Sequence, residues 1–135
     1  MERTFAIIKP DAVSARNTGA IIDRSEREGF TIVGMIKRQL TKEEVATFYA
    51  IHSARSFFND MVEVMSASPV VLLALEKNDA IRSWRTLMGA TNPAEAANNT
   101  LRREFGTNIG MNALHGSDSA ENAVIELKQF FPELV

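Results

Sequence analysis

His115 closes the short apolar run of residues 110–115 and is followed at once by Gly116, Ser117, Asp118 and Ser119. Histidine is one of the few side chains that can act as a covalent nucleophile, provided its second ring nitrogen is held by an acceptor that fixes the tautomer. Glu126, two turns into the segment that follows, is the candidate acceptor. Asp118 and Glu121 stand at capping-box spacing, with Ser117 or Ser119 equally able to cap the same helix. The imidazole would then lie beside free N–H groups and the positive end of a helix dipole, which favour anions. Gly116 removes a side chain next to the ring, so the expectation is that it leaves room for a bulky group. Cations that could receive an anion are Lys9 at the end of an apolar run, Arg85, Arg102, and Arg55 ahead of Phe57 and Phe58. Any one of them also reads as a solvated surface charge, as do Arg24, Arg27, Arg38 and Arg82. His115 alone also reads as a polar turn residue, and the local sequence by itself favours that reading over the nucleophile.

The elements that must position these residues follow from periodicity and punctuation. Thr4 to Lys9 is a short apolar run closed by a Pro10-Asp11 turn, a buried strand that presents Lys9 at its end. Gly19 to Glu28 reads as a helix stopped by Gly29, and "FTIVGMIKRQL" as a second strand, bulged or bent near Gly34. Thr41 and Glu44 have capping-box spacing ahead of a helix running through Tyr49 and His52. Phe57, Met61, Val64 and Met65 fall at helical spacing, and "PVVLLAL" (69–75) is a strand buried on both faces. Residues 79–88 return to helix, and Asn92-Pro93-Ala94-Glu95 marks another helix start before a polar loop at Asn98 and Asn99. Residues 110–115 make a fourth strand. A closing helix over 120–130 has Ala120, Ala123, Val124 and Leu127 as its inner stripe. This order fits an α+β fold, a ferredoxin-like split βαβ with a four-stranded antiparallel sheet and helices on one side.

With 135 residues, 45% of them hydrophobic, the chain suits a single domain over 1–135 with a substantial core. It has no cysteine and two histidines, which offers neither a disulfide framework nor a ligand set for structural zinc. The apolar stretch ending at Lys9 is too short for a secretory segment or a membrane span, so a cytoplasmic chain without a membrane partner is expected. A net charge of −2 argues against holding long nucleic acid through phosphate attraction, while a few local cations suffice for a small anion.

The motif "NALHGSDS" resembles the active-site signature of the nucleoside diphosphate kinase family, Asn-x-x-His-Gly-Ser-Asp-Ser. The resemblance extends to "ERTFAIIKPDAV", "FYAIHSARSFFNDMV", "WRTLMGATNPAEA", "NTLRREFG" and "FFPEL", nearly the whole chain. It implies transfer of a γ-phosphoryl group from a nucleoside triphosphate such as ATP to a nucleoside diphosphate, by a ping-pong route through a phosphohistidine. His115 would be the nucleophile, with Ser117 and Glu126 orienting its ring. Lys9 and Tyr49 would lie by the transferred group, Lys9 and Asn112 near the ribose hydroxyls. Arg85, Thr91 and Arg102 would hold the diphosphate, with Phe57 stacked on the base and Ile109 covering its other face. Stacking without base-edge hydrogen bonds tolerates purines and pyrimidines alike. The resemblance also implies Mg²⁺, which commonly binds through substrate phosphates and water, so no protein metal ligands are expected.

The chain departs from the family pattern at Ser56, where Pro is usual, and at Asn98-Asn99, where Pro-Gly or Ala-Gly is usual, both in loops, and it differs also at Glu104 and Met111. The segment "GATNPAEAANN" resembles the loop that builds trimer contacts in hexameric members, which implies a homo-oligomer. The chain ends at Val135, soon after "FFPEL", so the contacts of the longer tail of many relatives are expected to be missing, and tetramer and hexamer both stay open. Two other classes compete. A ferredoxin-like module that bound nucleotide or nucleic acid without catalysis would stack bases on strand aromatics, whereas these strands carry aliphatics and Phe57 falls on a helix. An oligomeric scaffold is the third reading.

Overall fold

The computed structural model describes residues 1–50 and 53–135. Four strands form one sheet in the order β2-β3-β1-β4: β1 (Glu2–Ile8), β2 (Thr31–Arg38), β3 (Val70–Lys77) and β4 (Leu114–Gly116). Every pairing is antiparallel, with Glu2 opposite Lys77 and Ile8 opposite Val71 between β1 and β3. β4 runs beside β1 so that Ile7 faces His115 and Ala6 faces Gly116. The register of β2 against β3 shifts between Ile32 and Gly34, the bulge expected near that glycine. This is the ferredoxin-like, α+β arrangement.

Helices cover both sides of the sheet, not one. β1 and β3 are apolar at consecutive positions, and adjacent strand residues point to opposite faces, so each face needs its own cover. On one side Ala6, Ile8, Val71, Leu73 and Leu75 meet Ala12 of α1 (Pro10–Ser14), Ile21 of α2 (Thr18–Arg27), Trp84 and Leu87 of α5 (Ala80–Met88), and Leu101 of α6 (Leu101–Phe105). On the other, Phe5, Ile7, Val70, Leu72 and Ala74 meet Val45 of α3 (Lys42–Phe48), Val62 and Met65 of α4 (Phe58–Ser66), and Leu127 and Phe130 of α7 (Ala120–Phe130).

Local chemistry sets the helix ends. Thr41 and Glu44 make the reciprocal capping box, and Gly29 follows α2 at φ +94°. Pro10-Asp11 opens the short helix α1 instead of a plain turn, since the fixed φ of proline suits a first helical position. α3 ends at Phe48 with Tyr49 as its cap, short of the expected length, and His52 lies outside the described residues. Within α4 the buried residues are Val62, Met65 and Ser66, while Phe57 and Val64 are exposed. Asn92 caps a single 3-10 turn (Pro93–Glu95), its side chain accepting the Ala94 N–H, and α6, which the polar loop had concealed, starts at the Thr100 cap.

The fourth strand is three residues long. Residues 107–113 form a loop because the Asn108 side chain accepts the N–H groups of Gly110 and Met111 and takes them out of reach of a ladder. In α7 the cap is Ser119, and the buried stripe is Ala123, Leu127 and Phe130. Ala120, in the first turn, and Val124 are exposed, which shifts the inner face from the expected one.

Candidate active site

His115 sits on β4 with its side chain on the same face of the sheet as Phe5 and Phe130. Alternation along the strand produces this, Leu114 and Gly116 facing the opposite layer. The Phe48 ring meets the imidazole nearly edge-on, with centroids 4.9 Å apart, and Tyr49 approaches at 6.3 Å. Nε2 of His115 is 3.0 Å from Oε1 of Glu126, which α7 carries back over the strand. The side chains of the pair are only 20% and 15% exposed, so water competes weakly for that bond.

Ser117 reinforces the carboxylate. Its hydroxyl lies 2.8 Å from the same Glu126 oxygen and 3.2 Å from the Phe5 N–H. A hydroxyl has one proton to give, so Ser117 donates to Glu126 and accepts from Phe5. An ionised carboxylate only accepts, so Glu126 places the ring proton on Nε2 and leaves the lone pair on Nδ1. A histidine held in this tautomer can attack an electrophile through Nδ1.

The cations converge at the neighbouring end of β1. Lys9 Nζ donates to Asn112 Oδ1 at 2.9 Å, and Asn112 in turn donates to the Thr91 carbonyl at 3.1 Å. Burial lowers the Lys9 ammonium to about 8, with the nearby Arg102 charge acting in the same direction and Asp11 opposing it. Arg102 is buried, donating from Nη1 to Gly89 O and from Nη2 to Leu114 O. Its Nε is buried without a partner, and burial together with the Arg85 charge lowers the guanidinium's pKa. Crowded like charges are costly, and an anion would relieve the repulsion between the two guanidinium groups. The Tyr49 phenol is pushed up by burial first and by the Glu126 charge second, which keeps it a donor. Arg85 is exposed on α5, bordering with Asp118 and Ala120 a cavity of about 410 Å³.

The structure thus gathers His115, Ser117, Glu126 and Tyr49 in one cluster, and Lys9, Asn112, Thr91, Arg102 and Arg85 in a second. β4 joins them, since the Leu114 carbonyl that holds Arg102 belongs to the residue before His115. Phe57 and Ile109 stand on the surface, 44% and 60% exposed, with the Arg55 guanidinium 5.7 Å from the Phe57 ring centroid. Gly116 has a different role from the one expected. A Cβ there would come within 2.5 Å of Trp84 Cδ1 and 2.7 Å of Met88 Cε, on the face of the sheet opposite the imidazole. The glycine therefore admits α5 against the strand and opens no room beside the ring. Sequence reasoning missed Phe48 and Asp11. The Asp11 carboxylate accepts the Ala113 N–H at 3.1 Å, and its place two residues after Lys9 was the available signal.

Among the described residues no group of three or more His, Cys, Asp or Glu side chains is gathered for a metal ion, and no helix is long and apolar enough to cross a membrane. The donors instead suit phosphate oxygens.

Residues 2–134 match the family model described as nucleoside diphosphate kinase. A nucleoside diphosphate kinase of Geotalea uraniireducens (strain Rf4) is 57% identical over 134 residues, covering 99% of this chain and 98% of the relative. The crystal structure of the Aquifex aeolicus nucleoside diphosphate kinase superposes with a TM-score of 0.96 at 43% identity, covering 98% of this chain and 96% of the other. A halophilic nucleoside diphosphate kinase from Halobacterium salinarum, solved in complex with CDP, gives a TM-score of 0.92 at 36% identity, with 96% and 87% coverage.

Proposed function

The chain belongs to the nucleoside diphosphate kinase family, enzymes that move the γ-phosphoryl group of a nucleoside triphosphate to a nucleoside diphosphate, and we propose that it does so by a ping-pong route through phosphohistidine at His115. The observation that carries this reading is the Glu126 contact to Nε2, which leaves Nδ1 as the nucleophile. Nδ1 attacks the γ-phosphorus, the bond to the bridging oxygen breaks, and the nucleoside diphosphate leaves with that oxygen's electron pair. The terminal oxygen of an incoming diphosphate then attacks the phosphorus, and the P–N bond breaks to restore the Nδ1 lone pair. Glu126 stabilises the Nε2 proton throughout, with Ser117 holding the carboxylate.

Phosphoryl transfer depends on positioning and on neutralising charge spread over the phosphoryl oxygens. Lys9 and Tyr49 donate to the transferred group, and Lys9 with Asn112 also reaches the ribose hydroxyls. Arg85, Thr91 and Arg102 hold the diphosphate, a reading supported by the repulsion between the Arg85 and Arg102 charges, which an anion would relieve. Phe57 and Ile109 sandwich the base with broad specificity, which their exposure supports, as does the CDP held by the Halobacterium relative. Mg²⁺ fits this donor set as an ion carried by the nucleotide phosphates and water, the phosphates being held by Lys9, Arg85 and Arg102. When bound it supplies charge neutralisation at the phosphoryl oxygens.

The same reading takes residues 1–135 as one domain, which the family match over 2–134 supports. It places the enzyme in the cytoplasm, with the nucleotide pools it serves, and gives it no need of nucleic acid or a membrane. A homo-oligomer, tetramer or hexamer, is supported by the outer position of β2, where Met35 is 55% exposed. The deciding experiment is intact-protein mass after brief mixing with ATP and Mg²⁺, then after adding a different nucleoside diphosphate, with His115→Ala alongside. One acid-labile phosphoryl group that requires His115 and disappears as the new triphosphate forms is the expected result. Full activity of His115→Ala would refute the mechanism.

A further inference from the structure

Asp11 has no assigned part in the reaction, yet it grips the backbone that carries two residues that do. Its carboxylate accepts the Ala113 N–H at 3.1 Å, while the Lys9 N–H donates to the Ala113 carbonyl at 2.8 Å. Both backbone groups of one residue are therefore held by the junction of β1 and α1. Ala113 is fully buried at φ +74°, and the Leu114 N–H bonds back to the Asn112 carbonyl at 2.9 Å. A hydrogen bond across one residue of positive φ is the rare, strained form of the γ-turn. A side chain with a Cβ resists that conformation, which persists only where its surroundings over-determine it.

The turn lies between Asn112, whose side chain meets Lys9 Nζ, and Leu114 and His115 on β4. Its geometry therefore sets the spacing of the lysine, the amide and the imidazole. We propose that Asp11 is a positioning residue for phosphoryl transfer, its carboxylate clamping the strained turn at Ala113 so that Asn112, Lys9 and His115 keep their spacing. This rests on the reading of His115 and Lys9 given above.

Single-turnover phosphoryl uptake from ATP and Mg²⁺, with ATP affinity measured separately, tests the clamp. Asp11→Ala is expected to slow uptake by roughly ten-fold or more with a smaller change in affinity, because small misplacements of reacting groups cost rate. Ala113→Gly, which tolerates positive φ, is expected to restore part of the loss in the Asp11→Ala background. Asp11→Asn keeps an acceptor for the Ala113 N–H without the charge. It is expected to keep more of the uptake rate than Asp11→Ala, because the acceptor and not the charge holds the turn. Wild-type uptake by Asp11→Ala, no restoration by Ala113→Gly, or an Asp11→Asn as slow as Asp11→Ala overturns the clamp. If Asp11→Ala fails to fold, Asp11→Ser, whose hydroxyl stops one bond short of the Asp11 carboxylate oxygen, takes its place in the same test. His115→Ala run in parallel separates the two questions: acid-labile phosphorylation of that variant would sink the His115 reading, whereas its absence beside a wild-type Asp11→Ala sinks only the Asp11 proposal.

Discussion

A single oxygen of Glu126 faces both the His115 ring and the Ser117 hydroxyl, so one side chain on α7 fixes the tautomer of another on β4. The neighbouring glycine shows how residue-scale inference from sequence goes astray. Gly116 adjoins the imidazole in the chain, yet strand alternation turns its missing Cβ toward Trp84 and Met88. Gly116→Ala is therefore expected to cost about 1–3 kcal/mol of stability, the usual penalty for overpacking a core, measured as a lowered urea midpoint. Unchanged stability with phosphorylation lost would instead return the glycine to the nucleotide's path.

Helix ends are where the elements of this protein were decided most locally. Thr41 and Glu44 exchange hydrogen bonds across the first turn of α3, and Glu44 also pairs with Arg38 of β2, tying the helix to the strand before it. That pairing, with the Thr41 N–H, holds the Glu44 carboxyl down to about 2. A carboxyl depressed in the folded state adds stability above its ordinary value of 4.5 and loses it as pH falls toward about 2. Exposed ion pairs contribute only ~0–1 kcal/mol, and a cap about 1 kcal/mol. Thr41→Ala should thus lower stability by about 1 kcal/mol. Glu44→Gln should show a deficit near neutral pH that closes between pH 4.5 and about 2, read from urea midpoints across that range. A constant deficit down to pH 2 would mean that the charge is not the cause.

Two apolar layers share one sheet, and that arrangement governs the whole molecule. Leu72 and Leu73 are adjacent in β3, both fully buried, but they belong to opposite layers. Leu72→Ala and Leu73→Ala are each expected to cost about 2–5 kcal/mol, and each to lower a single shared transition. The sole tryptophan, Trp84, lies in the Leu73 layer, so its fluorescence and far-UV circular dichroism test this directly. Coincident curves for Leu72→Ala at fixed protein concentration would support one cooperative unit over 1–135. A dichroism loss that precedes the fluorescence change would divide it.

The sequence by itself determined the order of the four strands and of α2, α3, α4, α5 and α7, the bulge near Gly34, the Thr41 capping box, and the candidate set around His115, because these depend on periodicity, short-range caps and a local motif. Spacing also placed Glu126 within reach of the imidazole once a helix follows the strand. Tertiary structure alone decided that helices cover both faces and that Gly116 serves α5. It also decided that Lys9 and Arg102 share one buried neighbourhood, and that Ala113 takes a positive φ under the grip of Asp11. The physical reason is range: a capping hydroxyl sees residues three positions away, whereas Asp11 and Ala113 are 102 apart in the chain and meet only after β1 and β4 have paired.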